Sequence, residues 1–176
     1  MFNFCSLYSG SSGNCLFVEN DNTKILVDAG ESAKKIENAL SSIDVSPQEI
    51  DAIVVTHEHI DHVKSVGTLS KKYNIPVFAT EKTWSAMPTQ SAKIEKNLHR
   101  YFSSSINFYV KDLLFTPFSI PHDAIDPCGF TISDGIKKLS IATDLGHITP
   151  EIINRIDNKI KKQSDKIYTR DLFNEN

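Results

Sequence analysis

Cysteine is scarce in this 176-residue sequence, which has only Cys5, Cys15 and Cys128. An odd, scattered set excludes a disulfide framework and a Cys-x-x-Cys metal knuckle, and it reads as reduced, small core residues. Positive charge is also short. Nineteen Lys and Arg stand against 22 Asp and Glu, for a formal net charge of −3. A surface built mainly to hold nucleic-acid phosphate needs clustered Lys and Arg, so that class is disfavoured, although a bound metal pair could still attract phosphate locally. No stretch approaches the roughly 18 apolar residues of a membrane span. The opening Met1 to Tyr8 has neither a charged n-region nor a sustained apolar h-region. A cytoplasmic protein with no membrane partner is expected.

What is present suffices for one core: 40% of the residues are hydrophobic and 23% charged, in a chain near the usual size of a single domain. Short apolar runs rich in β-branched and aromatic residues predict strands at Phe2 to Tyr8, Cys15 to Val18, Ile25 to Val27, Ile53 to Val55, Val77 to Ala79, Ile106 to Val110, Leu113 to Ile120, Phe130 to Ile132 and Leu139 to Ala142. Helical spacing places Ala33, Ile36 and Leu40 on one face, and Val63, Val66, Leu69 and Tyr73 on another. Ser46-Pro47-Gln48-Glu49 is a capping box, and Thr149-Pro150 can open a helix through Ile152, Ile153 and Ile156. Strands and helices alternate in the first half, whereas from Asn107 to Thr143 strands follow one another around turns such as Asp134-Gly135, as in an antiparallel sheet. The expected organisation is one domain over 1–157 and a polar tail over 158–176, where Lys159, Lys161, Lys162 and Lys166 read as a solvated segment.

The strongest chemical signal is Ile53-Val54-Val55-Thr56-His57-Glu58-His59-Ile60-Asp61-His62. It puts four metal-type ligands within six residues, directly after a buried strand. Of six histidines in the chain, three fall in that window. A strand end fixes where the loop begins, so His57 and His59 can point to one side while Asp61 and His62 reach a neighbouring point as the chain turns into a helix. Imidazole and carboxylate together suit zinc or manganese and are diagnostic of neither. The helical His-Glu-x-x-His motif is not matched. His122 and Asp144 follow two later strands. Alone, Asp144-Leu145-Gly146 and Asp28-Ala29-Gly30 would read as turns, and only their company with the histidine cluster changes that. Ser11, Ser12 and Asn14, in the Gly10 to Gly13 turn, are candidates for lining a substrate entrance. No Gly-Lys-Ser/Thr follows that turn, so it is not a nucleotide phosphate loop.

Read in order, Asp28, the His57 to His62 cluster, His122 and Asp144 resemble the successive motifs of the metallo-β-lactamase superfamily. Ser6 to Asn14, Ile25 to Gly30, Val55 to His59, His122-Asp123-Ala124 and Ala142 to Gly146 resemble the YycJ (WalJ)-like branch of exonuclease-like bacterial proteins along the chain to about Ile156, and the Ser-Gly-rich opening and the His-Asp-Ala step are what narrow the resemblance to it. The resemblance implies an α+β fold, a four-layer αββα sandwich. It also implies a first metal on His57, His59 and His122, a second on Asp61 and His62, Asp144 bridging both, and Asp28 behind the histidine loop. Two divalent ions, zinc or manganese, would activate a water that Asp61 or Asp144 orients for attack on a nucleic-acid phosphodiester. No histidine follows His147. The family's last metal-ligand histidine therefore has no counterpart, and the resemblance implies a C-terminally incomplete second sheet, a weak second site and an open sheet edge through which a homodimer could form. Two alternatives stand beside the nuclease: a catalytically impaired metal-binding module, and a hydrolase of another ester, thioester or lactam.

Overall fold

Apolar residues on both faces of the early strands call for a sheet covered on both sides, and that is how the chain folds. The computed structural model describes residues 1–150, Ile152, Ile153 and the backbone of Lys166–Thr169. The first sheet runs β1 (Asn3–Tyr8), β2 (Cys15–Glu19), β3 (Lys24–Val27), β4 (Ala52–Val54), β5 (Val77–Thr80) and β6 (His99–Phe102), side by side in that order. β1 to β3 form an antiparallel meander, and β3 to β6 are parallel. Parallel neighbours require crossovers. These are made by α1 (Ala33–Ser41), by α2 (Ile60–Val63) with α3 (Val66–Tyr73), and by α4 (Glu81–Ala86) with α5 (Pro88–Ser91).

Side-chain alternation then sorts two cores. Cys15, Phe17, Leu26 and Ile53 face the helices, where Ile36, Leu40, Val66 and Leu69 meet them. Leu16, Val18, Ile25, Val27 and Val54 face the second sheet. That sheet is an antiparallel run of β7 (Phe108–Val110), β8 (Leu113–Ser119), β9 (Cys128–Ser133) and β10 (Lys138–Ala142), with β11 (Lys166–Thr169) added parallel to β10. Phe115, Phe130, Ile132 and Ile141 point from it into the space between the sheets. The layers are those of the expected α+β sandwich.

Several elements differ from the sequence expectation. β6 went unpredicted because an edge strand reading His-Arg-Tyr-Phe shows no apolar alternation. The single helix expected from Val63 to Tyr73 is two, because the Ser65 amide donates to Ala29 O at 2.9 Å and leaves the helical ladder there. The capping box at Ser46 opens one 3-10 turn, with Ser46 N–H donating to Glu49 Oε2 at 2.8 Å. Lys166–Thr169, expected to be solvated tail, is strand, since an open edge accepts main-chain hydrogen bonds whatever the side chains are. Ile152 and Ile153 are helical as expected, while Ile156, Lys159, Lys161 and Lys162 lie outside the described residues.

Candidate metal centre

Each chemistry-bearing segment leaves the sandwich at the carboxyl end of a strand: Asp28 after β3, His57 after β4, His122 after β8 and Asp144 after β10. Parallel β3 and β4 end side by side, and β8 and β10, which flank β9 and run antiparallel to it, end at one edge of the facing sheet. Open α/β sheets place ligands at this edge for the same reason. Cys128 N–H donates to Thr56 O at 3.1 Å and joins the two sheets at the site.

Asp28 lies at the base. It is buried, adopts φ 62° and so turns its carboxylate back under the histidine loop. Oδ1 accepts from Thr56 N–H and Oδ2 from Thr56 Oγ, both at 2.8 Å, and Oδ2 lies 2.8 Å from His62 Nδ1. His62 is thereby held with its Nε2 2.7 Å from Asp144 Oδ2 and 3.6 Å from Asp61 Oδ2. Asp144, at φ 55°, is a second residue in the left-handed region. Gly30 explains how closely the loops nest: a Cβ there would sit 1.5 Å from Asp61 O.

His57 lies at the centre, fully buried, its ring centroid 4.1 Å from that of His62, 4.7 Å from His59 and 4.6 Å from His122. His122 Nε2 is 3.1 Å from His59 Nδ1. Ligand atoms of His57, His59 and His122 form one group within 4.8 Å of one another, and those of His57, His62 and Asp144 form another. Burial, reinforced by the imidazoles of His62, His122 and His59, pushes His57 down to about 2, which keeps it neutral with a lone pair free. Burial, with help from His59 and His62, also lowers His122. At His62 burial opposes the charge but is outweighed by the Asp28 and Asp144 carboxylates, which raise it to about 10. Without a metal, its proton stands where a cation would sit between two acids.

These residues fit a divalent metal. His57 Nε2 is buried without a hydrogen-bond partner among the described residues, an expensive condition that a metal would relieve. His59 and His122 point ring nitrogens at each other, which neutral imidazoles can satisfy only once, and a donor set of imidazole and carboxylate suits a divalent ion.

The sequence-derived candidates fall into three groups. His57, His59, His62, His122 and Asp144 converge, and the Asp61 carboxylate stands beside them. Asp28 lies behind His62. The entrance residues divide: Ser11 and Ser12 are exposed, but Asn14 is buried beneath the loop, a correction to its expected place at the entrance. Its Nδ2 lies 3.1 Å from Asp61 Oδ2 and 3.0 Å from His62 Nε2, and its backbone N–H donates to Asp61 O at 2.7 Å, because the β1–β2 turn packs against Gly30 and Glu31. Sequence reasoning also missed Thr56 and Glu58. Glu58 Oε1 accepts from Ile125 N–H at 2.8 Å and clamps the loop carrying His122 to the histidine strand. An acid between two histidines was visible, but its partner 67 positions away was not.

Residues 8–170 match the sequence profile of the metallo-beta-lactamase superfamily. The chain belongs to that superfamily. Among similar proteins, exodeoxyribonuclease WalJ of Streptococcus pneumoniae is 35% identical over 89% of this chain and 59% of its own length. Exodeoxyribonuclease YycJ of Bacillus anthracis is 38% identical over 83% of this chain and 55% of its own. The likeness thus supports the YycJ-like branch, and the chain spans somewhat over half the length of these relatives. A putative metallo-β-lactamase structure from Thermotoga maritima matches with a TM-score of 0.66 at 15% identity, covering 89% of this chain and 91% of that one. That likeness concerns the fold alone. Family and cluster together point to divalent metal binding.

Proposed function

We propose that the chain is a metal-dependent phosphodiesterase of exonuclease type acting on nucleic acid, placed in the cytoplasm. The observation that carries this reading is the pair of ligand groups, His57/His59/His122 and His57/His62/Asp144, meeting at one buried histidine whose Nε2 has no partner among the described residues. The names of the relatives supply the substrate class. When bound, divalent metal lowers the pKa of a water to near neutrality and neutralises phosphate charge. His57, His59 and His122 would hold one ion, and Asp61, His62 and Asp144 would hold a second. Either the Asp61 or the Asp144 carboxylate would accept a hydrogen bond from the attacking water and orient it. Asp28 keeps His62 in one tautomer, with Nδ1 as donor, so that Nε2 is left as the ligand.

One observation favours a second reading, a metal-binding module of impaired activity. His62 is already engaged at both ring nitrogens, by Asp28 and Asp144, whereas the His57/His59/His122 group has unmet nitrogens, so a single ion on three imidazoles would satisfy the site's strongest need. Elemental mass spectrometry run beside an assay on end-labelled DNA with added Mn²⁺ or Zn²⁺ separates the two. Two ions with release of nucleotides from an end support the exonuclease; one ion without cleavage supports the module. Hydrolysis of an ester, thioester or lactam in place of DNA would overturn both. Pairing of two copies through an edge strand accompanies the proposal, and sedimentation velocity at the monomer mass would remove it.

A further inference from the structure

A cavity of about 930 Å³ lies between α4 and β6, with Trp84, His99, Tyr101 and Lys96 in its wall and none of the metal-type ligands. Strand alternation builds that wall. His99 and Tyr101 stand on the face of β6 turned to α4, while Phe102 turns into the core between the sheets. Trp84 stacks on His99 with centroids 4.1 Å apart and planes 5° from parallel, and its indole N–H donates to Arg100 O at 3.1 Å, so the ring cannot turn. Tyr101 lies 6.1 Å from Trp84 and leaves 62% of its surface exposed. Exposed Lys82, Lys93, Lys96 and Arg100 outnumber Glu81 and Glu95 along this segment, in a chain that is acidic as a whole.

A second cavity, of about 380 Å³, shares Glu81 and Ser85 with the first and is bounded by Ile125. Ile125, 58% exposed, is the residue whose amide Glu58 holds, three positions beyond His122. From the loop that carries His122, exposed Ile125 and the second cavity lead along α4 to a pinned aromatic wall.

We infer that the Trp84/His99/Tyr101 cavity is a subsite that stacks an unpaired nucleobase of a strand whose backbone passes Ile125 to reach the histidine cluster. The inference rests on the nuclease reading for the identity of the strand. An exposed ring on a rigid strand suits this task because every base has a π face, so stacking serves any sequence. Lys96 gives the neighbouring phosphate a counter-charge, and its contribution falls with salt.

Trp84 is the only tryptophan in the chain, so its fluorescence reports occupancy without turnover. Titration of the full chain in EDTA with an unpaired oligothymidylate should quench or shift its emission. Tyr101→Ala should weaken that binding about tenfold, and Tyr101→Phe should retain it. An emission that ignores the oligonucleotide, or equal binding by Tyr101→Ala, overturns the subsite. Cleavage by the metal-loaded protein with no Trp84 response would remove the subsite and leave the nuclease standing. A response lost in Tyr101→Ala, in a protein that never cleaves DNA, would support the subsite and remove the nuclease.

Discussion

At the strand ends that carry His57 and Asp144, buried polar atoms crowd against one another, while at the opposite end of the same strands polar groups are paired out near water. There the Asp112 carboxylate accepts from the Thr23 hydroxyl and from Asn20 and Asn22 Nδ2, the last two at 3.0 Å each, and Lys111 meets Asp51 at 2.6 Å. The bonds from Thr23 and Asn22 hold Asp112 below the usual carboxylate range. Both clusters tie one sheet to the other. At the far end the β2–β3 turn is stapled to the β7–β8 turn, and the pairing relieves what little desolvation occurs. At the site, four imidazoles and the carboxylates of Asp61 and Asp144 meet with nitrogens facing nitrogens, an arrangement that costs stability until a cation enters. The difference separates groups kept for holding the fold from groups kept for holding a ligand.

The comparison is tested hardest at His59. His59→Ala should lower metal affinity by more than the hundredfold that loss of a supporting residue costs, yet leave the metal-free protein at least as stable, because it relieves imidazole crowding. Unchanged metal content would refute the assignment. Gly30→Ala comes next: a Cβ driven into the Asp61 carbonyl should cost about 3 kcal/mol in urea unfolding and disturb metal uptake with it. A parent-like midpoint would mean that the two loops are less tightly nested than described.

Asp28→Asn should weaken metal binding by about ten- to a hundredfold without emptying the site, since it removes the charge that orients His62 but leaves the ligands. Titration against a zinc-competing dye measures this. Asp112→Ala should cost under about 1 kcal/mol, being exposed, and change metal affinity not at all. Any loss of metal there would break the separation between the two ends.

The smallest effect expected is one of pH. The Lys35 ammonium first, then the Ser32 amide, draw Glu31 down from 4.5 to about 2. Because the folded value lies below the unfolded one, this stabilisation is present above about pH 4.5 and is lost as pH falls toward about 2. Glu31→Gln should therefore flatten that stretch of the acid-stability profile followed by circular dichroism, and superimposable profiles would remove the contribution.

Much of the site was legible because its ligands cluster in sequence. His57 to His62 follow a buried strand, and a strand end leaves little freedom about where they go. Asp28 and Asp144 were legible only by resemblance, since Asp-Ala-Gly and Asp-Leu-Gly are also common turns. Asn14 was misplaced because a Gly-Ser loop says nothing about which way its last side chain faces. Elements were lost where local pattern is weak: β6 is a polar edge, α4 has six residues, too few for a helical period, and β11 takes its state from β10.

By itself the sequence determined the alternation of buried strands and amphipathic helices, the metal-type chemistry of the histidine loop, and the absence of a disulfide framework, because these depend on residues near one another along the chain. Only the tertiary structure decided that His122 meets His59 across 63 positions, that Asn14 and Asp28 lie beneath the loop, and that Glu58 fastens Ile125. Those contacts arise from two sheets closing on a shared core, and where a loop lands after closure is set by packing, which no local pattern encodes.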